Sequence, residues 1–180
     1  MTPPDLFNSI PISPTLVTII DNDTAGVFIA PTELSVSEGG PPTTYTVSLT
    51  GQPTQTVTIT LNISSSLPIS SHLPITTPVT ISPTLLVFDA DNWNSSQDIS
   101  ISKIDNDYVN SVRTAWITHT ITSTDTMFAD LTAADVLINI LDDDVAGAIV
   151  APAAITLTEG GPPLTYTIRL TSQPTADVVI

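Results

Sequence analysis

Carboxylates are the residues of this chain best able to do chemistry. Asp142, Asp143 and Asp144 follow an apolar run, and Asp105-Asn106-Asp107 makes a second acidic turn. Side chains alternate in direction along an extended chain, so at least two of three consecutive aspartates can turn toward one point. Grouped carboxylates repel one another, and the chain holds only 3 Lys+Arg against 18 Asp+Glu. With so few basic residues, only a bound cation is expected to relieve that repulsion. Ca²⁺ suits it, since it accepts about six to eight oxygen ligands in flexible geometry. The same residues have a plainer reading. Asp and Asn favour turns because their side chains bond the local backbone and tolerate left-handed conformations. Acids at strand ends also keep domain junctions soluble. On the residues alone both readings stay open.

Other chemistry has little support. His119 is in phase with Ala115, Ile117 and Ile121, which marks it as a packed or half-buried ring. His72 has no partner of its kind and reads as solvated. Serine and threonine are abundant, but no histidine is placed by motif to activate one. Gly39-Gly40 and Gly160-Gly161 precede Pro-Pro and make bends, not phosphate loops opening a helix. Trp93 is expected to cap an end of the core, and Trp116 to point away from the Ile117 face. Tyr45 and Tyr166 are matching core-strand positions. Asp89 and Asp91 flank the Trp93 turn as secondary acid candidates. Asn22, Asn62 and Asn94 head glycosylation acceptor patterns, which arise by chance in so Ser/Thr-rich a chain.

Composition removes whole classes. The net charge of −15 repels phosphate backbones and anionic membranes, so neither nucleic acid nor electrostatic membrane docking is expected. No apolar run approaches the ~20 residues of a membrane helix. Without cysteine there is no disulfide, thiolate zinc site or cysteine nucleophile. Thirty threonines and 16 prolines argue for strands and against helices.

The elements that must hold the acids are repeated. Residues 21–59 align without a gap on 142–180 at an offset of 121 residues, with 21 of 39 positions identical. The same offset places Phe7 on Phe128, Leu16 on Leu137 and Ile19 on Ile140. The expected organisation is the C-terminal tail of a preceding repeat at 1–23, a complete repeat at 24–144, and the N-terminal part of a following, truncated repeat at 145–180. Within the repeat the apolar period is two: Tyr45, Val47 and Leu49 alternate with Thr44, Thr46 and Ser48. Strands are expected at 27–30, 34–37, 44–50, 56–63, 78–88 with a break at Pro83, 97–103, 112–123 and 135–141. Residues 64–77 read as an irregular insertion. Eight short strands in one repeat predict an all-β, antiparallel, immunoglobulin-like β-sandwich.

Four stretches carry a family resemblance: Val36-Ser37-Glu38-Gly39-Gly40, Phe88 to Trp93 with Gln97, Ile104-Asp105-Asn106-Asp107, and Ile140-Leu141-Asp142-Asp143-Asp144. In that order and spacing the unit resembles a Calx-β repeat, of the kind found in large bacterial surface proteins. The resemblance implies calcium at one end of a two-sheet sandwich. Its ligands would be Glu38, Asp105, Asp107, Asp142, Asp143 and Asp144. After the acidic turn this chain has Asn110, Ser111 and Val112 where related repeats often carry further acids. Asp21, Asn22 and Asp23 would belong to the preceding repeat's site and Glu159 to the following one's. The expectation is a non-enzymatic structural or adhesion segment of a secreted or cell-surface protein, with neighbouring repeats as partners. Calcium in the extracellular range, about 10⁻⁴–10⁻³ M, would stiffen the junctions. A glycan- or protein-binding module, and an accessory segment of a large secreted enzyme, are the alternatives.

Overall fold

The computed structural model describes residues 13–20, 22–66, 79–110 and 113–180. Residues 67–77 of the expected insertion, with His72, and also Asp21, Ser111 and Val112, lie outside the described residues. Among the described residues there is no helix, and hence none long and apolar enough to cross a membrane.

The described strands between Val27 and Leu141 form two sheets. The first contains β1 (Val27–Ala30), β3 (Thr43–Leu49), β5 (Thr80–Ser82) and β7 (Gln97–Ser102), in the spatial order β1-β3-β7-β5. The second contains β2 (Glu33–Ser37), β4 (Val57–Ser66), β6 (Leu85–Phe88), β8 (Arg113–Ser123) and β9 (Val136–Leu141), in the order β2-β9-β8-β4-β6. Alternation decides which side chains meet between them. Tyr45, Val47, Ile99 and Ile101 from the first sheet join Val57, Ile59, Leu86, Phe88, Ile117 and Ile138 from the second in one core. Each such side chain, removed from water, contributes about 1.5–3 kcal/mol before entropy is counted. Threonines fill the outer positions, as in the cross-strand pairs Thr58↔Thr122 and Thr60↔Thr120.

Two runs change sheet at proline, which lacks the N–H that a continuing ladder needs. The run from Val27 to Ser37 leaves β1 at Pro31 and re-enters as β2. The run from Thr80 to Phe88 breaks at Pro83 as expected, with β5 in one sheet and β6 in the other. The immunoglobulin-like sandwich is therefore as read from the sequence, with two differences. Strand β2 pairs with β9 in parallel, from Glu33↔Leu137 to Ser37↔Leu141, so the second sheet is mixed. Strand β4 also runs on to Ser66, because Ser64–Ser66 find ladder partners at Thr114–Trp116.

Beyond Asp144, β10 (Ala148–Ala151) pairs with β11 (Thr167–Leu170). Its register, Ala148↔Leu170, is the Val27↔Leu49 register displaced by 121 residues. Tyr166 is 58% exposed here, whereas its counterpart Tyr45 is fully buried. The core environment expected for Tyr166 is absent because no second sheet stacks on β10–β11 among the described residues.

Candidate functional site

The acids are gathered by strand direction. Since β2 and β9 run parallel in register, the residues after Ser37 and Leu141 emerge side by side. The Glu38 amide continues the ladder to the Leu141 carbonyl at 2.9 Å, which sets Glu38 next to Asp142. Antiparallel pairing would have sent them to opposite ends of the sheet. On the other sheet, β7 runs antiparallel to β3, with Thr43↔Ile101. Lys103 and the Asp105–Asp107 turn, which come after β7, therefore arrive at this same end, as does Arg113 at the start of β8. Gly39 turns the chain at φ +61°, a left-handed conformation that glycine adopts without strain. A Cβ there would lie 3.5 Å from Asp143 Oδ2 and 3.7 Å from Asp105 Oδ1, so two carboxylates crowd the same turn.

Glu38 is buried and already has partners. Lys103 Nζ donates to its Oε1 and to the Ile104 carbonyl, and the Asn106 amide donates to the same Oε1. Burial pushes the Glu38 carboxyl up from its ordinary value. Lys103 opposes this, and a hydrogen bond and repulsion from Asp142 add to it. Asp142 accepts the Asn110 backbone N–H at 2.9 Å and its side-chain amide at 3.3 Å. The Asn110 amide also donates to the Tyr108 carbonyl at 2.7 Å, and Arg113 donates to Asn110 Oδ1. Asp144 is pushed up by burial and then by the charges of Asp142, Asp143, Asp107 and Asp105. Its Oδ2 is shut off from solvent without a hydrogen-bond partner.

The six acids named from the sequence thus occupy one end of the sandwich, but they are not a preformed cage. Among the described residues no group of three or more His, Cys, Asp or Glu stands in an arrangement that could hold a metal ion. The expectation that only a bound cation can relieve the acids needs correction. Two of the three basic residues, Lys103 and Arg113, are placed at this end. Lys103, Asn106, Asn110 and Arg113 were missed as site residues. The available signal was position: Lys103 lies one residue beyond a strand that ends in the acidic turn.

The secondary candidates lie elsewhere. Asp89 Oδ1 accepts the Asp91 and Asn92 amides at 2.9 and 3.1 Å, closing a turn before β7, at the end opposite the acids. Trp93 packs against the core as expected. Trp116 is 40% exposed on the outer face, and His119 is buried.

The acidic loop also touches the chain beyond β11. The Gln173 amide donates to the Asp107 carbonyl at 2.6 Å. Val109 lines a cavity of about 480 Å³ together with Gly147, Leu170, Pro174 and Val178.

Neither a protein-family model nor a curated protein matches the chain in sequence. Solved structures resemble it in fold. The apo-form Calx CBD1 domain superposes with a TM-score of 0.51 at 17% identity, covering 68% of this chain and 100% of that one. The periplasmic chaperone SfaE gives 0.49 at 13% identity, over 67% of this chain and 58% of its own length. The calcium binding domain CBD12 of CALX1.1 gives 0.47 at 18% identity, over 66% of this chain and 44% of that one. At such identities the likeness shows an immunoglobulin-like sandwich and nothing finer.

Proposed function

We propose that the chain is part of a non-enzymatic structural array in a secreted or cell-surface protein, built from repeats with the bounds 1–23, 24–144 and 145–180. The acid-rich end of the complete repeat is the junction element. The observation that carries this reading is the parallel β2–β9 register. It brings Glu38 and Asp142–Asp144 together at the end from which the next unit departs, where Asp107 meets Gln173. A spacer needs such an end, because the angle between units depends on contacts at the crossing point.

Ca²⁺ is the ligand we assign to this junction. The orphaned, buried Oδ2 of Asp144 suits a cation ligand, as does the crowding of Asp143 and Asp105 over Gly39. Since these acids are not a preformed cage, Asp105, Asp107, Asp143 and Asp144 would have to draw together to supply the oxygens, with Asp142 and Glu38 joining once released from Asn110 and Lys103. The ion would contribute charge neutralisation and a cross-link between the β7–β8 loop and the end of β9.

Isothermal titration of Ca²⁺ into the full chain tests it, paired with thermal melts in Ca²⁺ and in EGTA. The expected result is saturable binding at about 10⁻⁴–10⁻³ M and a higher melting temperature with Ca²⁺. No heat and no shift at about 10 mM Ca²⁺ would overturn the calcium assignment. A second reading rests on exposed Trp116: the outer face of the second sheet stacks a sugar or a protein side chain. Loss of binding in a glycan array on Trp116→Ala would select it.

A further inference from the structure

We propose that Tyr45 and His119 form an acid-sensitive latch between the two sheets. Tyr45 belongs to β3 in the first sheet and His119 to β8 in the second, so their contact crosses the core. The Tyr45 hydroxyl and His119 Nε2 are 2.9 Å apart. The rings meet edge-on, with centroids 5.7 Å apart and planes at 84°. Tyr45 is fully buried and His119 is 8% exposed. Around them β4 offers Leu61 opposite His119, and β7 offers Ile99 opposite Tyr45. A polar bridge thus lies within hydrocarbon, and it involves neither the acid-rich end nor the junction.

Neutral imidazole has one N–H and one acceptor nitrogen; His119 Nε2 meets the Tyr45 hydroxyl, and the Ala134 carbonyl also bonds to the ring. Protonation turns both nitrogens into donors and places a cation between the sheets. The groups that face it are few. Tyr45 stays neutral, since burial drives its hydroxyl far above the ordinary tyrosine range. The Ala134 carbonyl and the charge of Asp135, just before β9, favour the protonated ring. Burial outweighs both and pulls His119 below its usual value.

Acid therefore works against the folded state. The unfolded chain takes up the His119 proton near the ordinary value of about 6.5, whereas the folded chain resists it. The latch is fully effective above about pH 6.5. Its contribution falls as pH drops from there toward the lower folded value. In that window each pH unit costs up to about tenfold in the folding equilibrium constant.

Urea unfolding of the full chain from pH 8 to pH 5, followed by tryptophan fluorescence, tests the proposal. Both tryptophans, Trp93 and Trp116, lie in the 24–144 unit. Wild type is expected to lose stability relative to His119→Gln as pH falls, with a constant difference above about pH 7.5. Tyr45→Phe, which keeps the ring, is expected to lower the midpoint at pH 8 while retaining the acid-dependent loss. Equal pH profiles for wild type and His119→Gln would overturn the latch. If His119→Gln does not fold, an NMR titration of wild-type His119 decides: a midpoint below 6.5 supports the latch, and one at or above 6.5 sinks it.

Discussion

Replacing Lys103 by methionine tests how the acid-rich end holds together without a bound ion. The side chains of Lys103 and Glu38 are only 7% and 2% exposed. The figure of ~0–1 kcal/mol for solvent-screened pairs therefore does not apply. Removing one partner of a buried pair costs about 3–5 kcal/mol, chiefly because the other charge is left buried alone. Here Asn106 still donates to Glu38, and the pair lies at the sandwich end and not at its centre. The lower limit, about 3 kcal/mol, is the expected loss at pH 7.5 in EGTA, out of the ~5–15 kcal/mol typical of a domain. The assay is urea unfolding by tryptophan fluorescence. Acidification should narrow the gap between variant and wild type, since Glu38 neutralises as pH falls through its raised value. Adding Glu38→Gln to Lys103→Met should return most of the loss and expose the coupling. Calcium at about 100 times its dissociation constant adds about 2.7 kcal/mol, and the variant should gain more than wild type because Glu38 is free to ligate. A loss below about 1 kcal/mol, or one equally large at pH 4, would refute the claim that a buried ammonium holds this end.

Two further outcomes are expected. Asp143→Asn combined with Asp144→Asn should raise the melting temperature in EGTA, by removing charges that oppose those of Asp105, Asp107 and Asp142, and should abolish any Ca²⁺-induced shift. Comparing melts with and without Ca²⁺ checks both effects. Phe88→Ala, which empties a fully buried site in the core, should cost about 3–5 kcal/mol in urea unfolding while leaving calorimetric Ca²⁺ affinity unchanged.

Much of the sandwich was legible because its information is local. The alternation through Tyr45, Val47 and Leu49 specifies an inward face whatever the partner strand, and β3 was placed to within a residue at each end. Pro83 marked its break for the same reason, since a missing N–H acts where it stands. The polar end of β4 was not legible. Ser64–Ser66 have no apolar period of their own and are strand only because Thr114–Trp116 lie opposite. Tyr166 shows the same limit from the other side. Its sequence context repeats that of Tyr45, but burial depends on a second sheet.

The acids could be named from their clustering, yet their counter-charge could not, because Lys103 reaches Glu38 across 65 positions of sequence. The consequence is a pair of opposed pH responses in one unit. Glu38 and Asp144 have raised carboxyls, so the folded state holds their protons better and acid relieves the strained end. His119 works the other way, since the folded state refuses its proton. The relief belongs to the junction and the penalty to the core, so mild acid should tighten the end that meets the next unit while loosening the sheets behind it. Calcium separates the two. An ion among the carboxylates competes with their protons and removes the first response, and it leaves the second intact because Tyr45 and His119 lie away from it. In Ca²⁺ the acid dependence of stability should therefore steepen between about pH 6.5 and pH 5 relative to EGTA. Parallel profiles in the two media would mean that the ion does not engage these carboxylates.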